Sequence, residues 1–242
     1  MRALIFDCDG VIADTERDLH LPAFNQAFAE TGLELRWSDA EYAELLRIAG
    51  GKERMAAALP EDSRGLVETL HRRKAGILEQ NLSEHGIRPR PGVVRLIGEA
   101  DAAGWQLAVA STSSERSVRA VLAHALGPEL AAKLLVLAGD VVPAKKPDPA
   151  IYELAVERLG VRKSDAVVIE DSRNGLLAAV GAGLLTVITV STYTAGEDFS
   201  EAALVLSDLG EPGVPMRVIA NRTETVPWEH LALSGLESLE RP

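Results

Sequence analysis

Apolar and polar positions along this chain follow two rhythms. The first stretch, Ala3-Leu4-Ile5-Phe6, is an unbroken apolar run that meets Asp7-Cys8-Asp9-Gly10. A short apolar run closed by a turn signal predicts a buried strand, and side chains two apart on extended backbone point to the same side. Asp7 and Asp9 are therefore expected to face one space, with Cys8 packed on the far side as a small apolar residue.

A helical rhythm takes over from Glu16 to about His85. Leu21, Phe24, Ala27 and Phe28 have helical spacing and Gly32 is a stop signal. Ser38 followed by Glu41 reads as a capping box for a helix carrying Tyr42, Leu45, Leu46 and Ala49, with Gly50-Gly51 expected to end it. A short helix over 52–59 and a longer one over 62–84 complete a stretch without a convincing strand.

From Arg88-Pro89-Arg90-Pro91-Gly92 onward, strands alternate with helices. Strands are predicted at 106–110, 134–138 and 166–169. Ser111-Thr112-Ser113-Ser114 leads into a helix reaching about His124, and Asp148-Pro149 opens another that runs to Leu159. The uncharged stretch from Asn174 to Gly196 is long enough to span a bilayer. Its alanine-rich first half, its glycines at 181 and 183 and its β-branched second half instead predict a buried helix, a turn and a strand. The C-terminal tail, with Trp228, Leu231 and Leu233, reads as helical.

Such alternation implies an α/β fold, a doubly wound, Rossmann-like parallel sheet with helices on both faces. The first strand belongs to it, so residues 16–87 are expected to be a helical domain inserted into a core formed by 1–15 and 88–242.

Composition narrows the function. The 242 residues carry 36 acidic and 25 basic side chains, a formal net charge of −11. Phosphate backbones and anionic membranes would repel that balance, so neither nucleic acid nor membrane is an expected partner. An anionic small substrate would need a local cluster of positive charge. The single cysteine rules out an internal disulfide and fits a reducing compartment; with no export signal in the opening residues, a cytoplasmic location is expected. The oligomeric state is not encoded in any pattern.

In a doubly wound sheet, ligands bind beyond the carboxyl ends of the strands. Those ends deliver Asp7 and Asp9, the hydroxyl-rich turn at Ser111, and Glu170 with Asp171, while Lys145 and Lys146 can reach the same edge. Two carboxylates held close are costly unless a metal ion sits between them or one holds a proton. An EF-hand loop fails, because Val11 stands where a ligand is needed. A cysteine phosphatase loop fails too, because Asp14 stands where its arginine should be. The Asp-x-Asp of a metal-dependent glycosyltransferase fits the first strand but leaves the lysine and the later acidic pair unexplained.

This constellation resembles the haloacid dehalogenase superfamily, whose phosphatases carry Asp-x-Asp-Gly, then Ser/Thr, Lys and an acidic pair. The resemblance implies that Asp7 is a nucleophile forming an aspartyl phosphate, and that Asp9 is the general acid and base. It implies Mg2+ held by Asp7, the backbone carbonyl of Asp9 and Asp171, with Glu170 ligating or holding a metal-bound water. It further implies that phosphate oxygens lie against Ser111 and the Thr112 N–H, in the turn with Ser113 and Ser114. The family lysine directly precedes proline, which favours Lys146 and leaves Lys145 as the alternative.

The helical insertion then corresponds to a cap. Thr15-Glu16 with His20, Gly50-Gly51-Lys52-Glu53-Arg54, Leu70-His71-Arg72-Arg73-Lys74, Ser191-Thr192-Tyr193-Thr194 and Glu197-Asp198-Phe199 resemble the β-phosphoglucomutase-like subgroup, and within it the CbbY-like phosphatases. These dephosphorylate xylulose 1,5-bisphosphate, a misfire product that inhibits Rubisco in the Calvin cycle. Against the subgroup pattern, one residue is inserted between Glu16 and His20. The resemblance implies a small phosphorylated sugar as partner. Glu16 and His20 would then be near its hydroxyls, Gly50 and Gly51 would let backbone approach it, and Lys52, Arg54 and Lys74 are candidate cations for a second phosphate. A mutase, which returns the phosphoryl group to sugar, and a phosphosugar-binding module are the alternatives.

Overall fold

The computed structural model describes residues 1–224 and 229–239. Among them the strands are β1 (Ala3–Phe6), β2 (Gln106–Ser111), β3 (Leu135–Ala138), β4 (Ala166–Glu170), β5 (Leu185–Thr189), β6 (Leu204–Leu206) and β7 (Val218–Asn221). They form one sheet in the order β3-β2-β1-β4-β5-β6-β7, parallel throughout except for β7, which pairs antiparallel with β6. The α/β class and parallel sheet expected from the alternation are what the chain forms. β6, β7 and the helix at Val93–Ala102 were not foreseen.

Both faces of β1 are covered, which is why it reads as continuously apolar. Leu4 and Phe6 join one core, and Ala3 and Ile5 the other. The first core includes Leu96 and Ile97 of α5 (Val93–Ala102) and Val118, Val121 and Leu122 of α6 (Glu115–Leu126), and Leu130 of the short α7 (Pro128–Ala131) packs against it. The second includes Ile151, Tyr152 and Ala155 of α8 (Ala150–Leu159) and Ala178 and Ala179 of α9 (Arg173–Gly181). Each fully buried Leu, Ile or Phe contributes about 1.5–3 kcal/mol, so the pattern locks β1 into the middle of the sheet.

After β1 the chain passes through helices only: α1 (Leu21–Glu30), α2 (Asp39–Leu45), α3 (Gly51–Ala58) and α4 (Val67–His85), with a 3-10 turn at Glu61–Leu66. Ser38 and Glu41 form the capping box on α2. The first core continues into these helices through Phe24, Phe28, Tyr42, Leu70 and Leu78, and α4 packs on α6. Gly50-Gly51 does not end α2, which stops at Leu45; Gly50 has φ +92° and caps the start of α3. The Asn174–Gly196 stretch contains α9 and β5, and among the described residues no helix is long and apolar enough to cross a membrane. In the tail, α10 covers Leu233–Glu237, preceded by the antiparallel β7, and Trp228 lies outside the described residues.

The sheet order fixes where a ligand can enter. The chain builds outward from β1 to β2 and β3, then returns to place β4 on the other side of β1. The loops leaving β1 and β4 diverge at that switch point and open a crevice at their carboxyl ends.

Candidate active site

Asp7 follows β1 directly and extends its ladder, its N–H donating to Ile169 O at 2.9 Å. Asp7 and Asp9 both line the cleft above the sheet, while Cys8 is buried in the first core. Gly10, at φ +81°, completes the turn; a Cβ there would lie 2.1 Å from Asp171 Oδ2, so only glycine lets this loop meet the end of β4.

Lys146, in the loop before α8, reaches the centre of this group. Its Nζ lies 2.6 Å from Asp7 Oδ1, 2.6 Å from Glu170 Oε1 and 2.9 Å from Ala110 O. Tyr152 also donates to Glu170 Oε1 at 2.6 Å, and the Asp171 N–H donates to its other oxygen at 3.0 Å. Lys145 points elsewhere, to Gly139 O and Asp140.

Ligand atoms of Asp7, Glu170 and Asp171 lie within 4.8 Å of one another, all three residues buried. Burial pushes the Asp7 carboxyl up to about 8 against the pull of Lys146, and Glu170 and Asp9 add to the rise. Burial, Glu170 and Asp7 likewise raise Asp171 well above the usual carboxylate range. One lysine leaves excess negative charge on a compact set of hard oxygen donors. Such a set could hold a divalent cation.

Asp9 sits in a different environment. Its Oδ1 accepts from Thr15 Oγ1 and its Oδ2 from Ser113 Oγ, both at 2.5 Å, and His20 Nε2 stands 3.0 Å from Oδ1. Burial alone would raise its carboxyl, yet His20, Ser113 and Thr15 together hold it well below the usual range. Two carboxylates two residues apart are thus driven in opposite directions, the separation that acid–base chemistry needs.

Ser111 Oγ accepts from the Ser113 N–H at 3.1 Å, and Ser114 caps α6 by accepting from Ser117 N at 3.2 Å. The whole turn, 111–114, lines the cleft. Of these hydroxyls, that of Ser113 is therefore already committed to Asp9.

The inserted helices supply the opposite wall. Glu16–His20 is a π-helical turn, in which the Leu21 N–H bonds to Glu16 O five residues back. His20 is buried in the site. Lys74 Nζ lies 2.6 Å from its Nδ1, while its Nε2 stands 3.0 Å from Asp9 Oδ1 without a hydrogen bond there. Burial lowers Lys74 to about 8, opposed by Glu16 and Asp9.

Tyr42 is the group that the sequence did not mark. Its hydroxyl donates to Glu16 Oε2 and accepts from Arg54 Nη1 at 2.8 Å, and Arg54 Nη1 is 3.7 Å from the same carboxylate. The Arg54 guanidinium lies 5.3 Å from the Tyr42 ring centre, and Lys74 Nζ lies 4.7 Å from that of Phe24. Aromatic faces stabilise such buried cations. His71 also lines the cleft; burial, with Lys74 and Lys52 nearby, lowers it to about 4, so its ring is neutral at pH 7.

Two residues expected at the site stand apart from it. Lys52 lies outside the cleft, paired with Glu68 at 3.0 Å and with Asp140 at 3.1 Å, because its place in the first turn of α3 turns it toward the seam with the core. Gly51 lines the cleft, whereas Gly50 does not: a Cβ at Gly50 would meet Glu53 Oε2 at 2.0 Å.

The haloacid dehalogenase-like hydrolase family matches residues 1–183 of this chain. The chain belongs to that family. Among its relatives, a CBBY-like protein of Arabidopsis thaliana is 46% identical over 87% of this chain and 70% of its own length. The crystal structure of CbbY from Rhodobacter sphaeroides with phosphate superposes with a TM-score of 0.83 and 37% identity, covering 98% of this chain and 99% of that one. An aspartate-to-asparagine mutant of the same protein, in complex with xylulose 1,5-bisphosphate, gives a TM-score of 0.80 and 39% identity over 86% and 94%. This haloacid dehalogenase-like protein is thus a CbbY-like phosphatase.

Proposed function

We propose that this protein is a magnesium-dependent phosphatase of a small phosphorylated sugar, xylulose 1,5-bisphosphate foremost, working through an aspartyl phosphate. One observation carries the substrate reading. Two buried cations, Arg54 and Lys74, line the same cleft as Asp7 but stand on the inserted helices, where they suit a second phosphate. The likeness to a CbbY structure holding xylulose 1,5-bisphosphate supports it.

In this reading one phosphate lies at the strand ends, between Ser111, the Thr112 N–H and Lys146. An Asp7 carboxylate oxygen attacks phosphorus, and the P–O bond to the sugar breaks as Asp9 gives the leaving oxygen a proton. Water then attacks the aspartyl phosphate, Asp9 takes its proton, and inorganic phosphate leaves. Because Asp9 is held ionised in the resting site, its proton must be delivered. We assign its delivery to His20, whose Nε2 stands 3.0 Å from Asp9 Oδ1 without a hydrogen bond in the resting site and would have to realign to pass a proton.

Asp7, Asp171 and the Asp9 carbonyl would hold magnesium, with Glu170, both of whose oxygens are already engaged, suited to a metal-bound water. When bound, the ion neutralises charge on the carboxylates and on the transferring phosphoryl oxygens. Glu16 would hydrogen-bond a sugar hydroxyl, with Tyr42 buried behind it and fixing its carboxylate. The inserted helices act as a cap that closes over the sugar and excludes bulk water.

The test is phosphate release with magnesium from xylulose 1,5-bisphosphate, with ribulose 1,5-bisphosphate and β-glucose 1-phosphate alongside. Fast release from the first and little from the others is expected. Formation of glucose 6-phosphate from β-glucose 1-phosphate would replace the phosphatase reading with that of a mutase.

A further inference from the structure

The segment Ser191-Thr192-Tyr193-Thr194, which follows β5, belongs to the core, yet its contacts run in three directions. Ser191 lies close enough to the Asp171 carboxyl to lower it against the rise that burial causes. The Thr192 hydroxyl donates to Asp14, in the segment that leads into the inserted helices. The Tyr193 hydroxyl donates to Asp39 Oδ1 at 2.9 Å, the first residue of α2. Its ring meets that of Tyr42 edge-on, centroids 5.9 Å apart at 73°.

Helix α2 has seven residues, and Tyr42 is its one buried side chain. So short a helix is not stable alone, and its ends need anchors. Before it, Asn25 bonds both backbone groups of Trp37 at 2.8 and 2.9 Å. The core holds the two ends directly: Tyr193 bonds Asp39 at the start, and Asn174 Nδ2 donates to Arg47 O just past the end, at 2.9 Å. The face of α2 gripped in this way presents Tyr42, whose hydroxyl links Glu16 to Arg54.

We propose that Tyr193 is a positioning residue: it clasps α2 when the inserted helices close on the core, and so sets Tyr42, and through it Glu16 and Arg54, in register with the reacting phosphate at Asp7. The inference rests on the proposed reading of the cleft as a sugar-phosphate site and adds to it the device that ties sugar recognition to closure. Tyr193 acts through Tyr42. The recognition cluster is complete only while the core loop holds it, and the same loop reaches Asp171, so closure and the carboxylate cluster are mechanically joined.

The test compares kcat/KM for xylulose 1,5-bisphosphate with that for p-nitrophenyl phosphate, which offers no sugar and no second phosphate. Tyr193→Ala lowers the ratio of the two values about tenfold, chiefly through KM for the bisphosphate. Tyr193→Phe, which keeps the ring edge on Tyr42 and loses the bond to Asp39, lowers the ratio by an intermediate amount, about threefold. In a Tyr42→Phe background the further effect of Tyr193→Ala shrinks to less than threefold, because both changes act on one cluster. Equal loss on both substrates, an unchanged ratio in Tyr193→Ala, or fully additive effects with Tyr42→Phe would each overturn the proposal. If the unaltered enzyme ignores xylulose 1,5-bisphosphate but hydrolyses another sugar phosphate, only the substrate reading falls; the same ratios taken with that sugar phosphate still decide the role of Tyr193.

Discussion

Lys146 Nζ lies 2.6 Å from Asp7 Oδ1 and equally close to Glu170 Oε1, joining the ends of β1 and β4 through one buried ammonium. Burial lowers this lysine, but Asp7 and Glu170 outweigh that, and its charge is held well above the ordinary lysine range. It is a fixed cation at the spot where phosphoryl oxygens would gather.

Lys146→Met removes that charge without opening a large cavity. Activity should fall by at least about a hundredfold. Breaking a buried pair typically costs about 3–5 kcal/mol, and here the stranded carboxylates relieve part of the cost by taking up protons. The loss measured by urea unfolding should therefore be smaller at pH 6 than at pH 9.

In the proposed reading magnesium and protons would compete for the same carboxylates. The folded protein raises Asp7 from its unfolded value near 4 to about 8. Between those values the folded state holds more protons than the unfolded one, so the metal-free protein loses stability as pH rises from 4 through 8. In the proposed reading a bound magnesium ion would offset the burial, and the lesser repulsion from Glu170 and Asp9, that cause this. The rise in melting temperature on adding magnesium should be larger at pH 8 than at pH 6, and an equal rise at both would contradict the assignment of Asp7 to the metal.

Lys74 works in the opposite sense. Burial lowers it to about 8 from 10.5, so at pH 7 the folded state carries a charge it disfavours, and stability rises as pH passes from 8 toward 10.5. Lys74→Met should stabilise the protein at pH 7 by about 1–3 kcal/mol. The same change should raise KM for a sugar bisphosphate by about tenfold or more, and the unaltered enzyme should lose affinity for it above pH 8. Thermal unfolding and steady-state kinetics on one preparation check both halves.

The groups at strand ends were readable because strands announce themselves. β1, β2 and β4 are apolar runs with a polar break, and the rule that parallel sheets bind ligands beyond their carboxyl ends brings Asp7, Ser111 and Glu170 together without coordinates. Lys146 followed from its place before proline. The structure separates it from Lys145 by giving the latter Asp140 as a partner.

The wall built by the inserted helices was less legible. Tyr42 sits among apolar positions of a helical pattern, and only its hydroxyl, which must find a partner when buried, hinted at more. Its partners Glu16 and Arg54 are 26 and 12 residues away, contacts that periodicity does not encode. Lys52 shows the reverse error. Charge and proximity to Arg54 suggested a substrate cation, but one step along α3 turns it from the cleft to Asp140. β6 has three residues, too few to form a pattern of its own.

The central claim is that Asp7 carries the phosphoryl group. The most direct measurement is acid quench of the Asp9→Asn variant after mixing with magnesium and acetyl phosphate, whose leaving group needs no proton, followed by peptic digestion and mass spectrometry. The account predicts one added phosphoryl group on the peptide spanning Asp7, absent when Asp7 is also changed to Asn. A phosphoryl group on another peptide, or one that persists in the double variant, would contradict it.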